Sequence, residues 1–124
     1  MLLEKIKLIK KEYQGKSDLT SGNAYKITIG YNKKRYTFIF NDNYKNESNK
    51  HDFIYAILSD YQCYKSVYNE DDFIKEFGYD DSVEAFRRGI EAYKSCKKTA
   101  QAIERLFTHE EIIQLENEFE EIGY

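Results

Sequence analysis

The sequence lacks proline and tryptophan, and it contains only two cysteines and two histidines. A small secreted domain held by disulfides normally has more cysteines for its size, so that class is disfavoured. Because His51 and His109 lie at no metal-ligand spacing from each other or from a cysteine, we expect no metal and no cofactor. No apolar run approaches the roughly 18 residues of a membrane span, and the first turn is already charged, unlike a signal peptide. We expect a soluble, cytoplasmic protein that makes no membrane contact.

Enzyme motifs are missing as well. The sequence has no glycine-rich phosphate loop, no nucleophile elbow and no Walker pattern. Cys63 and Cys96 fall in segments with a helical spacing of apolar residues, where a free thiol behaves as a small hydrophobic side chain. We therefore expect two reduced thiols in or near the core, and we expect the protein not to be an enzyme.

The chain contains enough apolar material for a packed core. Hydrophobic residues make up 41% of it and aromatic residues 16%, with 12 tyrosines and 8 phenylalanines. Tyrosine suits half-buried positions that have one end in water. At 124 residues, these proportions predict a single domain that spans residues 1–124.

The N-terminal part shows the alternation typical of β-strands. In residues 24–31 and 35–40, aromatic and β-branched residues occupy every second position on either side of a short polar turn. This pattern predicts a hairpin, and Asn32 tolerates the positive φ that such a turn requires. Residues 4–13 are predicted to form a third strand, with a short helix as the alternative, and residues 14–23 a loop.

From about residue 50 the spacing of apolar residues becomes helical. Four helices are predicted, the second beginning at Asn69 or Glu70, and Thr108 with Glu111 predicts a capping box for the fourth. The predicted apolar stripes are Phe53, Ile57, Tyr61, Tyr64 and Val67; Phe73 and Phe77; Phe86, Ile90, Tyr93, Ala100, Ile103 and Phe107; and Ile112, Leu115, Phe119 and Ile122. The predicted fold class is α+β, a small antiparallel sheet of about three strands in residues 1–42 packed by about four helices in residues 50–124.

The sequence Glu-Phe-Gly-Tyr-Asp-Asp-Ser at residues 76–82 predicts a corner between the second and third helices. Gly78 suits the position just after a helix, where a left-handed conformation costs glycine little. The three residues that end this segment, at 80–82, are all good N-caps for the next helix. Tyr79 is either a hydrophobic plug of the corner or an exposed contact, and the plug is favoured.

Residues 71–86 and 102–122 resemble a family of small proteins carried by bacteriophages and prophages. The family pattern is Phe-Glu-Asp-Phe, then a Glu-Phe-Gly-Tyr-Asp corner, a serine, a long helix ending in Leu-Phe and an acidic last helix. This chain matches it at Asp72, Phe73, Glu76, Phe77, Gly78, Tyr79, Asp80, Ser82, Ala85, Leu106, Phe107 and Leu115. The family usually has a basic residue after the serine, where this chain has Val83 and Glu84. The family has no established activity, so the resemblance implies a phage accessory role in a bacterial host cell and no catalytic residues.

Charge is distributed unevenly along the chain. Residues 1–50 hold 11 Lys and Arg against 5 Asp and Glu, whereas residues 51–124 hold 8 against 17, which gives balances of +6 and −9. The carboxylates of the last helix, including Glu116, Glu118 and Glu120, are expected to fan around its polar face, and a solvated face is the simplest interpretation.

A sharper hypothesis is that the acidic helices imitate nucleic-acid phosphates. They would bind and inhibit a host protein with a basic nucleic-acid-binding groove, such as a CRISPR effector, in the manner of an anti-CRISPR protein. The residues predicted to bind this partner are Asp71, Asp72, Asp80, Asp81, Glu116 and Glu120.

The basic N-terminal half supports an alternative, a nucleic-acid-binding accessory or regulatory protein. Lys33, Lys34 and Arg35 at the hairpin tip would contact the phosphate backbone, with Tyr36 available to stack on a base. Lysines of residues 4–13 add charge if that segment joins the same sheet. The tyrosine-rich faces are also compatible with a homodimer.

Overall fold

A computed structural model describes residues 1–42, 48–66, 70–77 and 83–124. One short helix and three strands come first along the chain, and four longer helices follow. The elements are α1 (Leu2–Lys5), β1 (Lys7–Lys16), β2 (Asn23–Tyr31), β3 (Lys34–Asn41), α2 (Lys50–Lys65), α3 (Glu70–Phe77), α4 (Val83–Leu106) and α5 (His109–Glu121). This order confirms the predicted α+β fold, with a small N-terminal sheet and C-terminal helices.

The three strands form one antiparallel sheet in the order β1-β2-β3. The β2–β3 hairpin turns at Asn32 and Lys33, whose φ angles are 50° and 66°. A two-residue turn with both φ angles positive matches the right-handed twist of the strands that it joins. The predicted hairpin and the positive φ of Asn32 are confirmed, whereas nothing in the sequence indicates the positive φ of Lys33.

The register gives the sheet two different faces. On the inner face, Tyr25, Ile27 and Ile29 of β2 are buried, and β3 places Phe40 and Phe38 opposite the first two. The alternate residues of the same strands form the outer face and are exposed or half-buried, except for Gly30. The alternation along residues 24–40 therefore separates an aromatic side that faces the core from a side that faces solvent.

Residues 4–13 contain both predicted alternatives, one after the other. α1 ends at Lys5, and β1 runs from Lys7 to Lys16, into the segment predicted as a loop. β1 is irregular between Leu8 and Lys10, where Ile9 is an extra residue in the register. This bulge turns Ile9 to the outer face, where its Cδ1 atom lies 2.6 Å from the position that a Cβ of Gly30 would take.

The chain forms two compact units, unit 1 (Met1–Ala56 with Leu106–Tyr124) and unit 2 (Ile57–Arg105). Unit 1 contains the sheet, and its buried residues include Leu3, Ile6, Tyr25, Ile27, Ile29, Phe53, Ile54, Phe107, Ile112, Leu115 and Phe119. The buried residues of unit 2 include Ile57, Leu58, Tyr61, Ile74, Cys96, Ala100 and Ile103. That residues 1–124 fold as a single domain stays a prediction.

The buried face of α4 differs from the predicted one. Phe86 is 55% exposed, whereas Gly89, Cys96 and Thr99 are buried. At Gly89 the residue must be small because α3 approaches closely there: a Cβ on Gly89 would lie 3.1 Å from the Cα atom of Ile74. The prediction of a buried Phe86 is therefore wrong, because it followed large apolar residues where the packing requires small ones.

In α5, three of the four predicted apolar positions are buried, at Ile112, Leu115 and Phe119. The fourth, Ile122, is 43% exposed. It is the C-cap of α5, with φ −89° and ψ 3°, so the helical periodicity that predicts its burial has already ended. The prediction of a buried Ile122 is wrong for this reason.

Several predicted features lie outside the described residues. They are the burial of Val67, of the Phe73 and Phe77 side chains, and the corner at Gly78 and Tyr79. The helices on either side of the corner occur as predicted, and α3 starts at one of the two expected residues.

Candidate binding surfaces

The carboxylates predicted to bind a partner occur in both units. Asp71 is exposed and Asp72 half-buried on α3 in unit 2. Glu120 is exposed and Glu116 half-buried on α5 in unit 1. The other two lie outside the described residues: Asp80 and Asp81. The described part of the chain therefore holds two acidic pairs, one in each unit.

α5 begins with the predicted capping box. The Thr108 hydroxyl accepts the Glu111 amide at 3.2 Å, and Glu111 Oε1 accepts the Thr108 amide at 2.9 Å. At the end of β2, the Tyr31 hydroxyl donates to Glu111 Oε2, and the Tyr31 ring lies 4.9 Å from that of Phe107. The pKa of Glu111 is lowered, first by the Thr108 amide, next by the Tyr31 hydroxyl and also by the charge of Lys34. Glu111 thus joins the hairpin to α5.

Glu118 contradicts the expected solvated face of α5, since it is only 6% exposed. Its two carboxylate oxygens accept the backbone amides of Leu2 and Leu3, each at 2.9 Å, and Oε2 also accepts Gln114 Nε2 at 2.9 Å. Burial alone raises the pKa of Glu118, but the hydrogen bonds from Leu3, Leu2 and Gln114 outweigh it and the pKa is lowered. Glu118 therefore satisfies the amides that begin α1, which have no acceptor within that helix.

Three of the four remaining carboxylates of α5 belong to a continuous exposed face, and the fourth, Glu116, is half-buried beside it. Glu110, Glu120 and Glu121 flank Ile113 and Asn117 at the three- and four-residue spacing of one side of a helix. None of the three glutamates forms an ion pair with the described residues. We call these five residues the acidic face of α5.

The basic residues of the alternative site lie at the tip of the β2–β3 hairpin. Lys33, Lys34 and Arg35 are exposed. Tyr36 is half-buried, and its ring stacks on that of Phe38, with centroids 5.7 Å apart and planes at 10°. Tyr36 therefore belongs to the inner face of the sheet, opposite to the side of Arg35.

A larger basic surface lies on the outer side of the sheet. The outer sheet face, as we call it, consists of Lys7, Ile9, Lys10, Lys26, Arg35 and Ile39. All six residues are exposed, so no described element of unit 1 covers this face. The strand register places Glu12, Thr28 and Thr37 on the same side. Glu12 forms an ion pair with Lys10 at 3.1 Å, and the hydroxyls of Thr28 and Thr37 are hydrogen-bonded at 2.9 Å. The six side chains provide charge and apolar contact, and none provides an aromatic ring for stacking.

Lys11 shows that neighbouring lysines of β1 have different roles. Its ammonium lies 4.6 Å from the ring centroid of Tyr25 and 5.3 Å from that of Phe53, and it donates to the Ser48 carbonyl at 3.4 Å. These contacts place Lys11 against the inner face, where cation–π attraction stabilises the packing of β2 on α2. Lys10, the preceding residue, points to the outer face.

Both cysteines of the chain lie in unit 2. Neither Cys63 nor Cys96 forms a disulfide, which confirms the prediction of reduced thiols, and Cys96 is buried. Burial, followed by the charges of Asp60 and Cys63, raises the pKa of Cys96 to about 12, so this thiol is protonated and unreactive at neutral pH. Within residues 1–42, 48–66, 70–77 and 83–124, no group of His, Cys, Asp and Glu is arranged to hold a metal ion.

The long helix of unit 2 contrasts with the acidic balance of the C-terminal half. Its exposed cations are Arg87, Arg88, Lys94, Lys97, Lys98 and Arg105. Two of its carboxylates form ion pairs, Glu84 with Arg88 at 3.7 Å and Glu104 with Lys65 at 2.6 Å. Negative charge therefore does not cover the whole outside of the C-terminal helices.

No helix in the described part of the chain has the length and apolar character that crossing a membrane requires. Comparison with protein-family models, with curated proteins and with solved structures found no match. The functional evidence is therefore the arrangement of this chain's own residues.

Proposed function

We propose that the chain is a non-enzymatic binding protein, which inhibits a host protein by occupying its basic nucleic-acid-binding groove with the acidic face of α5. The observation that carries this proposal is the division of the α5 carboxylates. Glu111 and Glu118 are hydrogen-bonded within unit 1, whereas Glu110, Glu120 and Glu121 remain exposed together. The internal pair holds the helix in place, so the exposed set is presented to a partner already ordered.

The dimensions of the acidic face suit this role. From Glu110 to Glu120 the helix rises about 15 Å, at about 1.5 Å per residue. About 15 Å is also the axial length of four to five base pairs at about 3.4 Å each. Negative charge at both ends of such a span can pair with lysines and arginines that otherwise contact a nucleic-acid backbone. Ile113, between the glutamates, adds an apolar contact that charge alone does not supply.

The class of partner follows from the resemblance to phage and prophage proteins. α5 lies within the second resembling segment, residues 102–122. A phage accessory protein acts in a bacterial cell, and a host defence protein that handles nucleic acid, such as a CRISPR effector, has the basic groove that this helix would fill. This supports an anti-CRISPR-like role.

Charge reversal on α5 tests the proposal. The double variant Glu110→Lys with Glu120→Lys changes two exposed carboxylates, and Glu91→Lys makes the same kind of change at an exposed position of α4 as the control. Tagged proteins are used to capture partners from host lysate, which are identified by mass spectrometry. We expect a nucleic-acid-binding protein to be captured by the wild type and the control, and not by the double variant.

The captured protein is then purified, and its affinity for the chain is measured at about 50 and about 500 mM salt. We expect binding to weaken at high salt, nucleic acid to compete, and the partner's activity to fall. Glu116→Lys, next to the acidic face, should have a smaller effect than Glu120→Lys because Glu116 is half-buried. Capture that survives reversal of Glu110 and Glu120, or a partner that binds nucleic acid and this chain together, would contradict the proposal.

A second candidate function is direct nucleic-acid binding by the hairpin tip and the outer sheet face. The observation that favours it is continuity, since the exposed Lys33 and Lys34 lead through Arg35 into the cations of the outer sheet face. Because this face lacks aromatic side chains, we expect contacts with phosphates, little stacking and little sequence preference.

Fluorescence anisotropy with labelled single- and double-stranded oligonucleotides tests this candidate at about 50 mM salt. Changing Lys33, Lys34 and Arg35 to alanine should weaken binding and reduce the slope of log K against log salt concentration by about 2–3. The matched control removes three exposed cations from α4: Lys94→Ala, Lys97→Ala and Lys98→Ala. No binding by the wild type, or equal losses in the two triple variants, would remove this candidate.

A further inference from the structure

We propose that copies of this chain bind one another head to tail, with the outer sheet face of one copy on the acidic face of α5 of the next. The proposal shares α5 with the proposed function, but it requires no host partner and is testable with the purified chain alone. In this assembly the sheet has a binding role of its own, and the acidic face is covered.

The outer sheet face is a surface that unit 1 leaves open. It presents four cations, one of which, Lys10, forms an ion pair with Glu12. Ile39 lies between these cations on the same face and is 55% exposed. Exposed apolar side chains surrounded by charge are typical of an interaction surface. The face is also large enough for a helix: the 8 residues of β3 extend about 26 Å, and the 13 residues of α5 rise about 20 Å.

The acidic face of α5 complements this surface in both charge and apolar character. Glu110 lies at one end, and Glu120 and Glu121 lie at the other, with Ile113, 43% exposed, between them. On the sheet, isoleucines likewise lie among the charges. Opposite charges around an apolar centre favour the docking of unlike faces and suppress the pairing of like faces.

The two faces cannot meet within one copy. Tyr31 belongs to the inner face of the sheet, because it alternates with the buried Ile27 and Ile29 along β2. Its hydroxyl donates to Glu111 of α5. α5 is thus anchored on the inner side of the sheet, and the outer sheet face must find its acidic counterpart on another molecule.

Such a contact joins two different surfaces, so a pair of copies still has one free outer sheet face and one free acidic face. The expected products are therefore short chains of copies in equilibrium with monomers. A single helix on a three-stranded face buries less than the roughly 1,200 Å² of a stable interface, so association should be weak and concentration-dependent. A host protein that binds α5 would compete with it.

Analytical ultracentrifugation of the purified full chain tests the proposal. At about 500 µM protein and about 50 mM salt, we expect an average mass well above that of the monomer, which returns to the monomer value at about 500 mM salt. Lys26→Glu on the outer sheet face and Glu120→Lys on α5 should each weaken association about tenfold or more. Glu91→Lys on α4 is the control with the same size of charge change, and it should associate like the wild type.

Mixing the two variants distinguishes head-to-tail pairing from general charge effects. The Lys26→Glu variant keeps an intact α5, and the Glu120→Lys variant keeps an intact outer sheet face. An equimolar mixture should therefore form one-to-one pairs that do not extend, although each variant alone stays monomeric. Lys7→Glu is a second sheet variant, because Lys26 lies opposite Glu12 and its reversal places two carboxylates together. Circular dichroism checks that each variant is folded.

A wild-type protein that stays monomeric at about 500 µM and about 50 mM salt overturns this proposal, as does a mixture that forms no pairs. Host-partner capture separates it from the proposed function. Glu120→Lys should weaken both capture and self-association, whereas Lys26→Glu should weaken self-association alone. Capture without self-association would leave the proposed function standing and remove only the head-to-tail pairing.

Discussion

Unit 1 and unit 2 place their less exposed acidic side chains in different environments. In unit 1, Glu111 and Glu118 accept hydrogen bonds from other elements, and the pKa of each is lowered. In unit 2, burial raises the pKa of Asp60, and two glutamates form exposed ion pairs. The contact between α3 and α4 in this unit is instead close packing at Gly89. The position of a carboxylate therefore decides whether it stabilises the fold, destabilises it or serves as surface charge.

The largest effect is expected at Glu118, where the comparison is sharpest. Glu118→Ala leaves the amides of Leu2 and Leu3 without their acceptor, and we expect the free energy of unfolding to fall by about 2–4 kcal/mol. Urea denaturation at neutral pH measures this loss. Glu120→Ala removes an exposed carboxylate from the same helix and should change the free energy by less than about 0.5 kcal/mol. An equal loss of unfolding free energy in the two variants would show that the buried and the exposed carboxylates of α5 contribute equally to stability.

The same residue predicts a dependence on pH. Because the pKa of Glu118 is lowered from 4.5 in the folded protein, its stabilisation is complete above 4.5 and is lost as the pH falls through the folded value. Between about pH 6 and about pH 3, the free energy of unfolding from denaturation curves should therefore fall more steeply for the wild type than for Glu118→Gln. Parallel curves would mean that the carboxylate is not ionised in its hydrogen bonds.

A smaller loss is expected in unit 2 from Gly89→Ala. Helix propensity alone would make alanine stabilising by about 0.5–1 kcal/mol. The new Cβ would lie 3.1 Å from the Cα of Ile74 and 3.2 Å from its carbonyl oxygen, so α3 must move, and we expect a net loss of about 1–2 kcal/mol. Ser95→Ala, at an exposed position of α4, is the control and should be neutral or slightly stabilising in thermal unfolding. A stabilised Gly89→Ala variant would contradict close packing of α3 against α4 at this position.

Asp60→Asn should act in the opposite direction to the Glu118 variants. Burial raises the pKa of Asp60 above 3.8, so its ionisation destabilises the fold as the pH rises from 3.8 through the folded value. The variant should be more stable than the wild type at neutral pH, by less than about 1 kcal/mol, and the difference should vanish in acid. Urea denaturation at pH 7 and in acid measures both values. A variant that is less stable at pH 7 would mean that Asp60 accepts a hydrogen bond that matters more than its burial.

The smallest effect is expected at the ion pair between Lys65 and Glu104. Their charged atoms lie 2.6 Å apart, but both side chains are about half exposed, so water and salt screen the attraction. A double-mutant cycle with alanine at each position should give a coupling of about 0.5 kcal/mol that falls at high salt. A coupling near the loss expected for Glu118→Ala would show that surface ion pairs also hold unit 2 together.

The elements of the fold are predictable because neighbouring residues specify them. The hairpin follows from the alternation on either side of Asn32, and the start of α5 from Thr108 and Glu111, three residues apart. Exposure of Glu120 and of the hairpin lysines also follows from the pattern. Each of these features depends on interactions within a few residues of the chain.

The remaining features depend on contacts that no local pattern contains. The burial of Glu118 has one local signal, its place next to Phe119 at the border of the apolar stripe, but the backbone amides that it accepts, those of Leu2 and Leu3, are more than a hundred residues away. The outer sheet face depends on the register of β1, in which the bulge at Ile9 decides the sides of Lys10 and Lys11. For the same reason the different roles of Lys10 and Lys11 are not visible in the sequence.

The bonds from Leu2 and Leu3 to Glu118 span 116 and 115 residues of chain, and this has a consequence for folding during synthesis. Unit 2 is continuous in sequence and lies between the two segments of unit 1, so the ribosome completes it first. α1 must wait, with its first amides bound only to water, until α5 has been made. We therefore expect the sheet-bearing unit to close last and to be the part most exposed to chaperones and proteases on the nascent chain.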